Sequence, residues 1–123
     1  MLINLSNHPS TQWDENQINQ AKNLYGNVID LSFPFIDPDG DEEYIRNLTE
    51  EYFEKIMEIS KNHSSNLAVH LMGEMTFAFQ LAAKLLKNNI ACIASTTERS
   101  VVENQNTKIS KFRFVRFRRY DLT

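Results

Sequence analysis

Short apolar runs alternate along the chain with longer stretches in which apolar residues recur every three or four positions. That alternation predicts strands and helices in turn. The run 1–5 ends in Ser6-Asn7-His8-Pro9, a cluster of turn formers, and reads as a buried strand with a polar loop at its carboxyl end. Thr11, with Asp14 three residues on, can cap a helix whose Ile18, Ala21 and Leu24 share one face, and Gly26 supplies a left-handed stop. Residues 28–31 form a second strand. The stretch 33–38 holds two prolines, which remove donors and force extended neighbours, so it is a loop with an apolar anchor.

Asp39 or Asp41 caps a long helix over 42–61, with Ile45, Leu48, Tyr52, Ile56 and Ile59 as its buried stripe. Its Glu50, Glu51, Glu54 and Glu58 face water. Residues 67–72 are a third strand running into Gly73, and 74–88 a helix apolar on nearly every side. A fourth strand, 90–94, opens into Ser95-Thr96-Thr97-Glu98-Arg99. The tail then changes period: 100–103, a polar turn at 104–106, and 109–120 read as a β-hairpin. Apolar parity slips between Phe114 and Val115. A bulge there keeps Phe112, Phe114 and Phe117 inward; otherwise both faces of the strand are covered.

Strand–helix repetition with three right-handed crossovers predicts a mainly parallel four-stranded sheet of order 2-1-3-4, with the hairpin antiparallel at its edge. The expected fold is a Rossmann-like three-layer α/β sandwich, one domain over 1–123. In such sheets ligands sit outside the carboxyl ends of the strands, where the order reverses. Three segments then converge: Ser6, Asn7 and His8 after strand 1, Gly73, Glu74 and Thr76 after strand 3, and Ser95, Thr96, Thr97 and Arg99 after strand 4. Between them they carry hydroxyls, an amide, an imidazole, a carboxylate and a guanidinium, an inventory suited to a ribose-phosphate or another polar ligand.

Each residue also has an ordinary structural role available. Gly73 lets a ligand approach free N–H groups, yet Glu74 puts a negative charge in the same turn, which suits a sugar hydroxyl or base amine better than a phosphate. Glu74 equally serves as a plain cap. Arg99, with Ser95, Thr96 and Thr97, is the phosphate-side candidate through its bidentate donors, unless it only pairs with Glu98. His8 can relay protons or merely bond the loop backbone. His70 reads as a satisfied core histidine, and His63 as a surface residue.

Composition narrows the chemistry. The chain has 123 residues, one domain by the usual length prior. Its three glycines are isolated, which excludes both the G-x-G-x-x-G fingerprint and the phosphate loop G-x-x-x-x-G-K-[ST]. No histidine has a Glu or Cys partner at ligand spacing, so neither a metal nor a cofactor is expected. No serine lies in a G-x-S-x-G elbow, and Cys92 sits inside a strand as a small buried hydrophobe. The acidic cluster at 37–43 lacks the order of a calcium loop and reads as capping and solubility. With neither a signal-like start nor a membrane-length apolar run, a cytoplasmic location with no membrane contact is expected.

Net charge is −3 but unevenly spread. Residues 1–66 carry twelve acidic and four basic side chains, residues 67–123 four and nine, so the halves stand at −8 and +5. Lys108, Lys111, Arg113, Arg116, Arg118 and Arg119 are uninterrupted by any acid. They suggest an anionic partner, RNA among them, or charges that guard a sheet edge.

The segment from His70 to Phe77, Ala94 to Arg99, Phe114 to Arg118 and the opening Leu2 to Pro9 together resemble small CRISPR-associated proteins of type III systems with Rossmann-like folds. The resemblance spans nearly the whole chain. It implies a cytoplasmic antiviral-defence protein, a homodimer that binds a cyclic oligoadenylate messenger and degrades it. Ring-nuclease chemistry of that class uses the RNA's own 2′-hydroxyl and needs no metal. Arg99 would then stabilise the phosphorane charge, Ser95 to Thr97 would bind phosphate, and His8 or Glu74 would position a hydroxyl or adenine. The helix start at Gly73 lacks a basic cluster, a departure that bears on catalysis more than on binding. Two other readings stand beside this one: an interaction domain whose basic hairpin contacts RNA or an acidic protein, and an enzyme acting on a nucleoside or sugar phosphate. Phe77, Phe79, Leu86, Phe112, Phe114 and Phe117 offer more apolar surface than a sandwich of this size needs, which also predicts a homodimer.

Overall fold

β1 (Leu2–Ser6) is buried along its whole length because a parallel neighbour flanks it on each side: β2 (Val28–Asp30) on one and β3 (Ala68–Met72) on the other. The computed structural model describes residues 1–63 and 66–123. β4 (Ala91–Asn104) adds in parallel to β3, and β5 (Thr107–Arg119) closes the edge antiparallel to β4. The five-stranded sheet has the order β2-β1-β3-β4-β5, so the expected 2-1-3-4 core is present and the tail pairs onto its open edge.

Helices cover both faces. Strand side chains alternate, and Ile3, Leu5, Val69, Leu71 and Cys92 pack with α2 (Glu42–Ser60) and α3 (Met75–Lys87) through Ile45, Tyr52, Ile56, Phe77, Leu81 and Leu85. On the opposite face Leu2, Ala68 and Ile93 meet Ala21 of α1 (Glu15–Tyr25), together with Phe114 and Phe117 of β5. Cys92 is fully buried, and burial pushes its thiol up to about 12, so it is inert at neutral pH.

Local signals explain most element ends. Asp41 caps α2 by accepting from the Tyr44 N–H, and Gly26 ends α1 at φ +88° with open space around it. Three expectations are corrected. Asp14, not Thr11, caps α1 through the Gln17 N–H, because Ser10–Gln12 turn as a separate 3-10 segment. α3 is one-sided: Phe77, Leu81 and Leu85 are buried while Met75 and Phe79 stand in solvent. The loop expected at 95–99 is strand. β4 continues straight through it, because β5 pairs with it from Ile93↔Arg119 out to Asn104↔Thr107.

The parity slip in the tail is a bulge. Thr96 faces Arg116 and Thr97 faces Phe114, which leaves Val115 as the extra residue. Phe114 and Phe117 turn inward as expected, but Phe112 is 67% exposed because it lies past the end of the core. Of the six side chains expected to supply surplus apolar surface, Phe77, Phe114 and Phe117 are consumed inside the fold.

Gly73 has a packing reason. A Cβ there would fall inside the ring of Phe33, which stands edge-on to Phe77 with centroids 5.5 Å apart. Gly73→Ala should therefore cost about 1–3 kcal/mol in urea unfolding, the usual range for overpacking. A double variant with Phe33→Ala should lose less than the two single changes together; strict additivity would show that the contact does not carry the cost.

Candidate functional site

Strand register writes a polar row across an otherwise apolar face. Asn4 is the cross-strand partner of Asp30 on one side and of His70 on the other. Ser95, two residues beyond Ile93, falls on the same face of β4 next to His70.

The hydrogen bonds fix each group's role. Asn4 Nδ2 donates to the His8 carbonyl and to Asp30 Oδ1, each at 2.9 Å; both are acceptors, so the amide nitrogen must point that way. Asn4 Oδ1 then accepts from Ser6 Oγ at 2.8 Å and faces His70 Nδ1 at 2.9 Å. A carboxamide oxygen has no proton to give, so Nδ1 carries the hydrogen. Nε2 of the neutral ring is left as an acceptor for Ser95 Oγ, 2.7 Å away. Ser95 accepts in turn from Gln17 Nε2 at 3.0 Å.

His70 is 2% exposed, with Trp13 edge-on at 5.1 Å and Phe117 at 5.8 Å between ring centroids. Burial, reinforced by the nearby charge of His8, lowers it to about 4, so the imidazole is neutral at physiological pH. For Asp30, partial burial opposes ionisation, but the bonds from Asn4 and Ser10 outweigh it and hold the carboxyl below its usual range.

Above the row lies a cavity of about 560 Å³ at the carboxyl ends of β1 and β3, walled by β4, β5 and the start of α1. Ser6, His8, Ser95 and Thr97 belong to its polar lining, together with the Asp14 carboxylate and the amides of Gln12 and Gln17; Trp13, Phe112 and Phe114 supply an aromatic wall. Trp13 Nε1 also donates to the His8 carbonyl at 3.2 Å, tying the loop after β1 to the aromatic side.

Four of the ten residues expected at the site thus meet in one place: Ser6, His8, Ser95 and Thr97. Asn7 is exposed beside them and does not line the cavity. Gly73 belongs to a separate apolar groove formed with Met75, Phe79 and Leu122. Glu74 caps its own helix, accepting from the Thr76 and Phe77 N–H groups at 2.9 Å and from the Thr76 hydroxyl. Those bonds hold the Glu74 carboxyl low and occupy Thr76 as well. Thr96 points away and bonds the Arg116 carbonyl across the bulge. Arg99 is carried out along the hairpin, where it donates to Ser110 Oγ at 3.1 Å rather than to the cavity.

Residues 1–118 match the sequence profile of the family described as uncharacterized protein MJ1673 family. The chain belongs to the MJ1673 family. No curated protein and no solved structure matches it. The matched span takes in every residue of the polar row and of the cavity wall.

Sequence reasoning did not find Asn4, Asp30, Trp13 or Gln17, and its reading of His70 as a satisfied core histidine is borne out by burial and a partner on each ring nitrogen, without placing the residue at the site. A signal existed for two of these residues: Asn4 and His70 interrupt apolar strands at positions of the same parity, where a buried parallel sheet should be apolar.

The neutral His70 has a measurable consequence. An unfolded chain protonates this ring below about pH 6.5, but the folded protein resists until about 4. Stability contributed above pH 6.5 is therefore lost as pH falls toward 4, to a total of about 3 kcal/mol. Urea unfolding of wild type and His70→Gln across that window should show the loss in the former and its absence in the latter.

Proposed function

We propose that the protein binds a cyclic oligoadenylate in the cavity at the carboxyl ends of β1 and β3, as a cytoplasmic nucleotide-binding protein of antiviral defence. The observation that carries this reading is the pairing of an aromatic wall, Trp13 with Phe112, against a hydroxyl and imidazole wall of Ser6, His8, Ser95 and Thr97. Aromatic faces stack bases, while hydroxyls and imidazole hydrogen-bond ribose and phosphate. The cavity also occupies the switch point at which a Rossmann-like sheet takes nucleotides, beside the strand where the order reverses.

Size supports a dimer within this reading. The cavity falls in the ~300–1,000 Å³ range of small-ligand pockets, enough for part of an oligoadenylate ring and too small for the whole. A second copy would hold the remainder, and the solvent-facing Phe79 and Phe112 are apolar surface available for that contact.

Trp13 is the single tryptophan, so its fluorescence reports on the cavity. Titration with cyclic tri-, tetra- and hexa-adenylate should quench it for one ring size at micromolar concentration. Trp13→Ala, followed by calorimetry, should weaken binding about tenfold or more, from the ~1–3 kcal/mol that stacking a base contributes. Absence of binding by all three rings at that concentration overturns the reading.

The exposed hairpin favours a second reading. Residues 98–113 are all exposed and carry Arg99, Lys108, Lys111 and Arg113, of which Arg113 is partly neutralised by Glu98 at 2.6 Å. Such an arm suits an RNA backbone. Charge reversal at Arg113, Arg116 and Arg118 would abolish RNA binding under this reading and leave cyclic oligoadenylate binding intact.

A further inference from the structure

We infer that Ser95 is a catalytic nucleophile, activated by His70 and directed at a phosphoric ester held in the cavity. The nucleophile follows from geometry alone; the substrate class rests on the nucleotide reading above.

An activated serine needs a base within hydrogen-bond reach and a third group that fixes the base. Both are in place. Ser95 Oγ lies 2.7 Å from His70 Nε2, and Nε2 has no hydrogen of its own because Nδ1 carries it toward Asn4 Oδ1. Asn4 cannot turn over, since its amide nitrogen is held between the His8 carbonyl and the Asp30 carboxylate. Asn4 and Asp30 are positioning residues: they select the tautomer and keep the lone pair aimed at the serine. Ser95 is partly buried and lines the cavity, so a ligand reaches it where His70 itself is almost wholly covered.

The step balances without a co-reactant other than water. Ser95 Oγ attacks phosphorus, forming an O–P bond as its proton passes to His70 Nε2. The P–O bond to the leaving oxygen breaks with its electron pair, and that oxygen takes the proton from His70. Water then gives a proton to His70 while its oxygen bonds to phosphorus; Ser95 Oγ leaves and recovers the proton.

A fluorophosphonate probe tests the nucleophile independently of any nucleotide, since the Oγ–P bond replaces P–F and fluoride departs. Intact-mass and peptide analysis of the wild-type protein should show one phosphonyl group, on Ser95. Ser95→Ala should take up none, and His70→Gln should react about 100-fold more slowly, the lower end of what a positioned base contributes. Should Ser95→Ala or His70→Gln fail to fold, Ser95→Cys provides the second measurement: iodoacetamide should alkylate the new thiol faster than free cysteine at pH 7. A folded wild type that leaves Ser95 unlabelled, or a His70→Gln variant that labels at the wild-type rate, overturns the proposal. Failure of cyclic oligoadenylate to bind, with Ser95 labelled, overturns only the nucleotide reading.

Discussion

The carboxamide of Asn4 is the constraint on which the site depends. It stands on β1, buried between β2 and β3, and both ends are committed: nitrogen to the His8 carbonyl and Asp30, oxygen to Ser6 and His70. Polar groups at this depth cost several kcal/mol if left unpaired, so a half-satisfied network would be worse than an apolar one. Among the described residues no buried side-chain nitrogen or oxygen lacks a partner. Satisfaction leaves one consistent assignment of donors and acceptors. Through that assignment an aspartate on the second strand governs the proton on a histidine two strands away.

Much of the frame was legible because it is written in periodicity. The buried strands are continuous apolar runs, the helices carry stripes, and the reversal beside the first strand follows from wrapping helices on both faces. Even the bulge was legible, since Phe114 and Phe117 cannot share a face without an extra residue between them. The course of β4 was not. Ser95, Thr96 and Thr97 look like a loop after an apolar run, yet β-branched threonines fit an edge ladder well once β5 supplies partners.

The site was half legible for the same reason. Strand ends gave Ser6, His8, Ser95 and Thr97 their places, because the switch-point rule depends only on topology. Glu74 and Thr76 were drawn to the same end of the sheet, but local bonds two and three residues apart satisfied them first. His70 and Asn4 were hidden by their surroundings: a polar residue within an apolar strand looks like an exception until register brings two such exceptions side by side.

The hairpin joins the site to the solvent. Its base is pinned where Phe114 and Phe117 pack under α1, and Asp14, the cap of that helix, faces the Phe114 N–H. Beyond Phe114 the two strands are held by their own ladder and by cross-strand side-chain pairs such as Glu98 with Arg113, a ribbon reaching roughly 23 Å past Thr97 at the usual rise per residue. A lone two-stranded ribbon is marginal in water, and this one carries Arg99, Lys108, Lys111 and Arg113 along its exposed length. Arg99 and Phe112 oppose each other on the second rung beyond Thr97 and Phe114, and so on the face those two share. The cavity's outer aromatic is therefore its least supported wall. Thr97 and Phe114 on the pinned base, and Phe112 on the ribbon, thus make one continuous wall whose inner part is held by the core and whose outer part is held by the β4–β5 pairing.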